Sequence, residues 1–157
     1  MQRHQSLRPL SRDHRDGLFL ALLLKRDAKP IREMPTSLEG KRDYALNEWQ
    51  TKVRPHFDAE EHILIPMVRG QDADVDALIT EILQEHVDIT HLVETLPQAS
   101  DLQEHLHAIS VALEAHIRKE ERQWFERIQS VLPQEVLDQL GEQLDAYEAQ
   151  RSRTCGL

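Results

Sequence analysis

At positions 56–61 the chain reads HFDAEE, and at 116–121 it reads HIRKEE, the same order of His, three residues and Glu-Glu. Residues four apart on an α-helix lie about 40° apart around the axis and about 6 Å along it, so His56 with Glu60, and His116 with Glu120, share a face. An imidazole and a carboxylate placed this way can reach one metal centre. About one residue in ten is Glu, so nine histidines produce about one such pair by chance. The spacing alone is weak evidence, and what the pairs face is stronger.

His116 continues the stripe Leu102, Leu106, Ile109, Leu113, followed by Glu120 and Trp124, all at steps of three or four. A His and a Glu stand where core side chains belong. His86 falls in line with Ile79, Ile82, Leu83, Ile89 and Val93, and His14 leads Leu18, Ala21 and Leu22. The elements that position them are helical, because Gly and Pro are few and almost no segment alternates apolar with polar residues. Ser11 or Asp13 caps a first helix running to about Lys29, where Pro30 stops it. Thr36 or Ser37 opens a second, reaching about Met67 with a kink expected at Pro55. Asp72 or Asp74 caps a third, ending near Leu96, and Ser100 caps a fourth, from about Asp101 to Val131. Pro133 opens a fifth segment to about residue 150, and the tail RSRTCGL is expected to fray. The fold class expected is all-α: an antiparallel up-and-down four-helix bundle over about residues 8–131 with a C-terminal extra helix, in a single domain of 157 residues.

A second repeat supports the first. RDHRD at 12–16 and QEHVD at 84–88 share acid, His, any residue and Asp, each on the helix before an HxxxEE helix. The chain reads as two hairpins of one design, one carrying His14 and His56-Glu60, the other His86 and His116-Glu120. Burying two carboxylates among imidazoles costs several kcal/mol per unpaired charge. No Lys or Arg lies on those faces, so metal cations are the expected counter-charge. Six N/O ligands without sulfur exceed one tetrahedral zinc and suit two octahedral ions sharing carboxylates. Two non-haem irons fit best, with manganese or zinc as substitutes.

These residues resemble the hemerythrin-like, or HHE cation-binding, domains over roughly residues 8 to 130: His on the first helix, HxxxE on the second, EH on the third and HxxxE on the fourth. HFDAEEHILIP around His56 is also typical of that family. The resemblance implies a hemerythrin-type bundle in which His14, His56, His86 and His116 ligate iron while Glu60 and Glu120 bridge the two ions. Oxygen-carrying hemerythrins place a second His one turn after the third-helix His and an Asp five residues after the fourth-helix one, where this chain has Thr90 and Glu121. The four-His, two-Glu set looks more like members linked to nitric oxide, oxidative stress or iron–sulfur cluster repair, without the repair proteins' cysteine-bearing N-terminal segment.

His4, His62, His91, His105 and His107 take a structural reading. Glu61 and Glu121 read as solvated or as neighbours of the ligands, able to replace Glu60 or Glu120 on a small helix rotation. Asp16 and Asp88 read as salt-bridging, Phe57 and Trp124 as core, Cys155 as inert. A formal charge of -9 and a pI near 5.4 argue against a nucleic-acid partner. One cysteine excludes an internal disulfide and a thiolate cage. The opening lacks an apolar signal core, and the longest apolar run, Leu18 to Leu24, is far short of the roughly 20 residues that span a bilayer, so a cytoplasmic protein is expected. Three function classes fit: a di-iron protein binding or sensing oxygen, nitric oxide or peroxide or handling iron; an enzyme of nitric oxide or peroxide detoxification or cluster repair; and an iron-regulated interaction module. The last would use the stripe Val136, Leu137, Leu140, Leu144 and Tyr147, which also offers a surface for a homo-oligomer. No inward acid, Tyr or Lys stands unassigned in the sequence.

Overall fold

The computed structural model describes residues 1–155, and the described residues form helices and turns with no strand. Helix α1 is Arg8–Leu24, α2 spans 38–68, α3 is Ala73–Glu94, α4 spans 102–131 and α5 is Gln134–Cys155. Helix α4 lies against both α1 and α3, and α2 lies against α1, as in an up-and-down bundle.

Local chemistry accounts for most helix ends. Ser37 and Asp72 cap α2 and α3, the Asp72 carboxylate accepting from the N–H groups of Asp74 and Val75. The cap of α4 is Asp101 rather than the expected Ser100, its Oδ1 accepting from Glu104 N–H at 3.1 Å. Helix α1 starts earlier than Ser11 or Asp13, after Leu7, which has no capping side chain but is fully buried in the cluster that also holds α5's leucines. It also ends at Leu24, before the expected Lys29. The reason is α4: Arg26 N–H donates to His107 Nδ1 at 3.1 Å, and Gln103 donates to Arg26 O at 3.1 Å, so this backbone is satisfied outside a helix. Helix α5 continues through Cys155, past the fraying expected from residue 151; Gly156 and Leu157 lie outside the described residues.

The expected kink at Pro55 takes a different form. Helix α2 runs past the proline by opening a π-turn, Trp49–Val53, in which Arg54 N–H reaches back five residues to Trp49 O. A wide turn gives the proline ring room where it would otherwise crowd the carbonyl four residues back. Two further π-turns begin at the inward glutamates, Glu60–Leu64 in α2 and Glu120–Trp124 in α4.

The buried apolar side chains form two clusters rather than one. The first holds Leu10, Ala59, Leu64, Ile82, Trp124 and Phe125 with α5's Leu137, Leu140 and Leu144. The second holds Leu20, Phe57, Ile89, Leu113 and Ile117. On α1, α3 and α4 the change from one cluster to the other falls at His14, His86 and His116-Glu120, so a polar layer crosses the middle of the bundle. The apolar stripe of α5 is consumed by its own chain, with Val136 and Tyr147 at the cluster's edge. Gly141 permits that approach, since a Cβ there would stand 3.2 Å from the Ser6 Cβ.

Arg127 of α4 grips the α3 cap, its Nε and Nη2 each 2.9 Å from an Asp72 oxygen. This pairing, first, and the cap bonds hold Asp72 below the ordinary 3.8, at about 2. A depressed carboxylate contributes stability above its ordinary value, lost as pH falls through the folded one. Asp72→Ala is expected to lower the melting temperature by about 2–4 °C at pH 7 and to remove part of the stability loss between about pH 4 and 2. Thermal scans across that range, with metal content unchanged, are the check.

Candidate metal centre

His14, His56, Glu60, His86, His116 and Glu120 meet in the polar layer, each between 0% and 7% exposed. Their inner atoms make two overlapping groups of four, His14, His56, Glu60, Glu120 and Glu60, His86, His116, Glu120, with candidate ligand atoms all within 4.8 Å of one another. The two glutamates belong to both. Glu60 lies 3.1 Å from His56 Nε2 and 3.2 Å from His86 Nε2, while Glu120 lies 2.9 Å from His14 Nε2 and 3.2 Å from His116 Nε2. All four Nε2 atoms thus point at carboxylates.

The outward Nδ1 atoms have their own acids. His56 Nδ1 donates to Asp13 at 3.0 Å and His116 Nδ1 to Glu85 at 2.8 Å, each acid sitting on the preceding helix of the same hairpin. His86 Nδ1 donates to Glu61 at 2.7 Å and His14 Nδ1 to Glu121 at 2.6 Å, each acid now from the other hairpin. An ionised carboxylate only accepts, so the proton of each neutral imidazole is held on Nδ1 and the Nε2 lone pair is left facing inward. That is the tautomer a metal-binding histidine needs, and a carboxylate behind a ligating histidine both orients the ring and raises its basicity. The four acids obey the same two-fold relation as the repeats, which explains both the Asp or Glu before the third-position His and the second Glu of each HxxxEE.

Do these residues fit a cation? Both oxygens of Glu60 and of Glu120 are buried without a hydrogen-bond partner, as are Nε2 of His86 and His116; their close approaches lack hydrogen-bond alignment. No Lys or Arg contacts them among the described residues. Two orphaned carboxylates ringed by four imidazole nitrogens are a donor set with no internal acceptor, and divalent cations complete it. The family model described as the hemerythrin HHE cation binding domain matches residues 4–128.

The chain belongs to the hemerythrin HHE cation-binding family. No curated protein and no solved structure matches it. The hemerythrin resemblance therefore has a buried His/Glu cluster under it, and the structure brings all six sequence-derived candidates together. Thr90 and Glu121, at the positions where oxygen carriers place ligands, stay outside the inner set: the Thr90 hydroxyl donates to His86 O at 2.6 Å, and Glu121 takes the Nδ1 bond. The remaining histidines with resolved partners have ordinary ones, His62 with Asp58 O, His105 with Leu92 O, His4 with Ser6 and His107 with Arg26 N–H. Asp16 lies 3.7 Å from Lys52, and Asp88 accepts from Gln84.

Aromatic rings cover part of the hemerythrin layer. Phe57 stacks on His86 with centroids 3.8 Å apart and meets His116 edge-on at 5.2 Å, while Phe125 stacks on His14 at 5.4 Å. Phe125 carries no spacing signal that separates it from core, and Trp124 beside it is core with 0% exposure. Roles for Asp13 and Glu85 were visible only as a repeated acid before His; which ring each would reach depends on how the helices face.

Without metal, electrostatics and burial compete. Burial pushes His56 down, but Glu60 and Asp13 outweigh it and raise it well above 6.5; His86 and His14 rise for the same reasons, through Glu60 and through Glu120 with Glu121. Burial would raise Glu60, yet His56 and His86 hold it well below 4.5. Glu121, although half-burial raises it, is held to about 2 by His14, Ser11 and Arg3. A raised histidine stabilises the metal-free fold at low pH and ceases to as pH rises through the raised value, while the depressed glutamate contributes above about 4.5. The metal-free protein is therefore expected to be most stable between those limits. Metal uptake near neutral pH displaces the extra histidine protons, so binding should release protons and weaken as pH falls; calorimetry in buffers of different ionisation enthalpy measures this. Glu61→Gln and Glu121→Gln are each expected to weaken metal binding by about 10–100-fold with the bundle intact, read by chelator competition.

Proposed function

We propose that the protein holds two non-haem irons, through His14 and His56 on one side, His86 and His116 on the other and Glu60 and Glu120 between, and that it binds or senses a small oxidant or handles iron. The observation that carries this reading is the pair of fully buried glutamates without hydrogen-bond partners, each facing imidazole nitrogens from both hairpins. Each group of four offers two nitrogens and a share of two carboxylates, fewer donors than the six an octahedral ion takes. Bound there, an iron pair supplies two adjacent redox-active cations with room for oxygen, nitric oxide or peroxide. Manganese or zinc satisfies the same donors.

The protein's own groups do the rest. Asp13, Glu61, Glu85 and Glu121 keep the Nε2 lone pairs aimed inward, and Phe57 and Phe125 exclude water from the imidazole faces. The net charge of -9 supports a small-molecule rather than a nucleic-acid partner. No described helix is long and apolar enough to cross a membrane, and the lone cysteine is in keeping with a cytoplasmic setting. A second copy of the chain would meet α5 at Val136 and Tyr147, which are only partly buried at the edge of its stripe.

Protein purified without oxygen from iron-supplemented cells is expected to carry about two irons per chain and to change its visible spectrum on exposure to air or nitric oxide. Glu60→Ala should reduce iron to below about one per chain, because both groups lose a shared ligand. Less than one equivalent of any metal in the unmutated protein, with helicity unchanged, would falsify the reading.

A further inference from the structure

Beyond the six-residue cluster, one charged residue is buried and unaccounted for. Glu48, on α2, is 7% exposed, the only other buried ionisable side chain among the described residues. It lines a cavity that three of the cluster's histidines, His14, His56 and His116, also line, together with Lys52 and Val53. The cavity has about 20 Å³ of space for the centre of a water-sized molecule, where roughly 10–15 Å³ admits one water. As it stands it holds a ligand about the size of one water.

One flexible side chain in its lining links two helices. Lys52 Nζ lies 3.4 Å from Glu48 and 3.7 Å from Asp16, tying α2 to α1 across the gap, while its side chain stays 49% exposed. Lys52 and Val53 belong to the π-turn Trp49–Val53. The other two π-turns match each other, one per hairpin, at Glu60 and Glu120. This one has no counterpart: sixty residues on, 109–113 is regular helix. Pro55, where the second hairpin has Ala115, opens this turn and so sets Lys52 and Val53 beside the cavity.

We propose that this cavity is the access route by which a water-sized ligand reaches the His14–His56–His116 side of the cluster, with Lys52, anchored by Glu48 and Asp16, as its gate. The proposal rests on the di-iron reading for what the ligand meets, not for the route itself. A gate alters the height of a passage and not the depth of the site, so it changes association and dissociation rates by the same factor and leaves the equilibrium constant alone. A merely structural role would move the equilibrium constant or the iron content instead.

Three full-length variants test it. In iron-loaded protein mixed with nitric oxide, Lys52→Ala and Glu48→Gln should raise both rates several-fold, and Val53→Trp, which fills the passage, should lower both by about tenfold. Rates within about twofold of the unmutated protein in every folded, iron-replete variant would overturn the route, as would a change confined to the equilibrium constant. Should Val53→Trp not fold, the first two variants decide. An arm free of metal separates this proposal from the previous one: dissolved dioxygen should broaden the methyl resonances of Leu113 and Ile117, which line the cavity, more than those of the fully buried Ile82 and Ile128. Lack of that preference in metal-free protein overturns the route; its presence with no iron uptake keeps the route and removes the di-iron reading.

Discussion

Two glutamates sit at the centre of this bundle with no exposure and, among the described residues, no lysine or arginine beside them. In a medium that solvates charge poorly, this is the arrangement the rest of the structure has to answer. The four inner nitrogens answer it in part, by converging on the carboxylates from all four helices. Outer acids answer it further, since each fixes the proton of one ring on the far side and so frees the near lone pair. Even the division of the core into two apolar clusters follows, because a polar layer one helical turn deep cannot be packed with aliphatic side chains.

The two-fold design lends economy to this layer. One set of rules, applied twice, places a ligand pair on the second helix of each hairpin, an acid beside the His of the first, and a cross-hairpin bond from the second Glu of each HxxxEE. Wide turns beginning at Glu60 and Glu120 occur at the same place in both hairpins. Where the symmetry fails, at the π-turn before Pro55, the failure coincides with a cavity against the histidines. Departure from an internal repeat is thus a guide to what is special about one face of a symmetric centre.

The helices, their order and the inner residues were legible because apolar periodicity reports burial, and His or Glu standing in an apolar stripe is conspicuous. Asp13, Glu61, Glu85 and Glu121 are one step off the stripe, and their partners lie on other helices, so only the rotation of each helix about its axis assigns them. Glu48 escaped for a related reason: it lies in a stretch, 38–48, with little apolar face, where nothing marks inward from outward. Helix ends moved where tertiary contacts outbid local preference. Leu7 extends α1 because it is buried in the cluster that α5 joins, and Arg26 leaves the helix because α4 offers its backbone better partners. The α5 stripe was visible as a stripe, but its being filled by the same chain was not.

The central claim is that two cations share Glu60 and Glu120. Anomalous diffraction from crystals of iron-loaded protein, recorded on both sides of the iron absorption edge, tests it most directly. The account predicts two edge-dependent peaks, one beside the Nε2 atoms of His14 and His56 and one beside those of His86 and His116, with the two carboxylates between. A single peak, or density at the outer acids with the inner cluster empty, would contradict it.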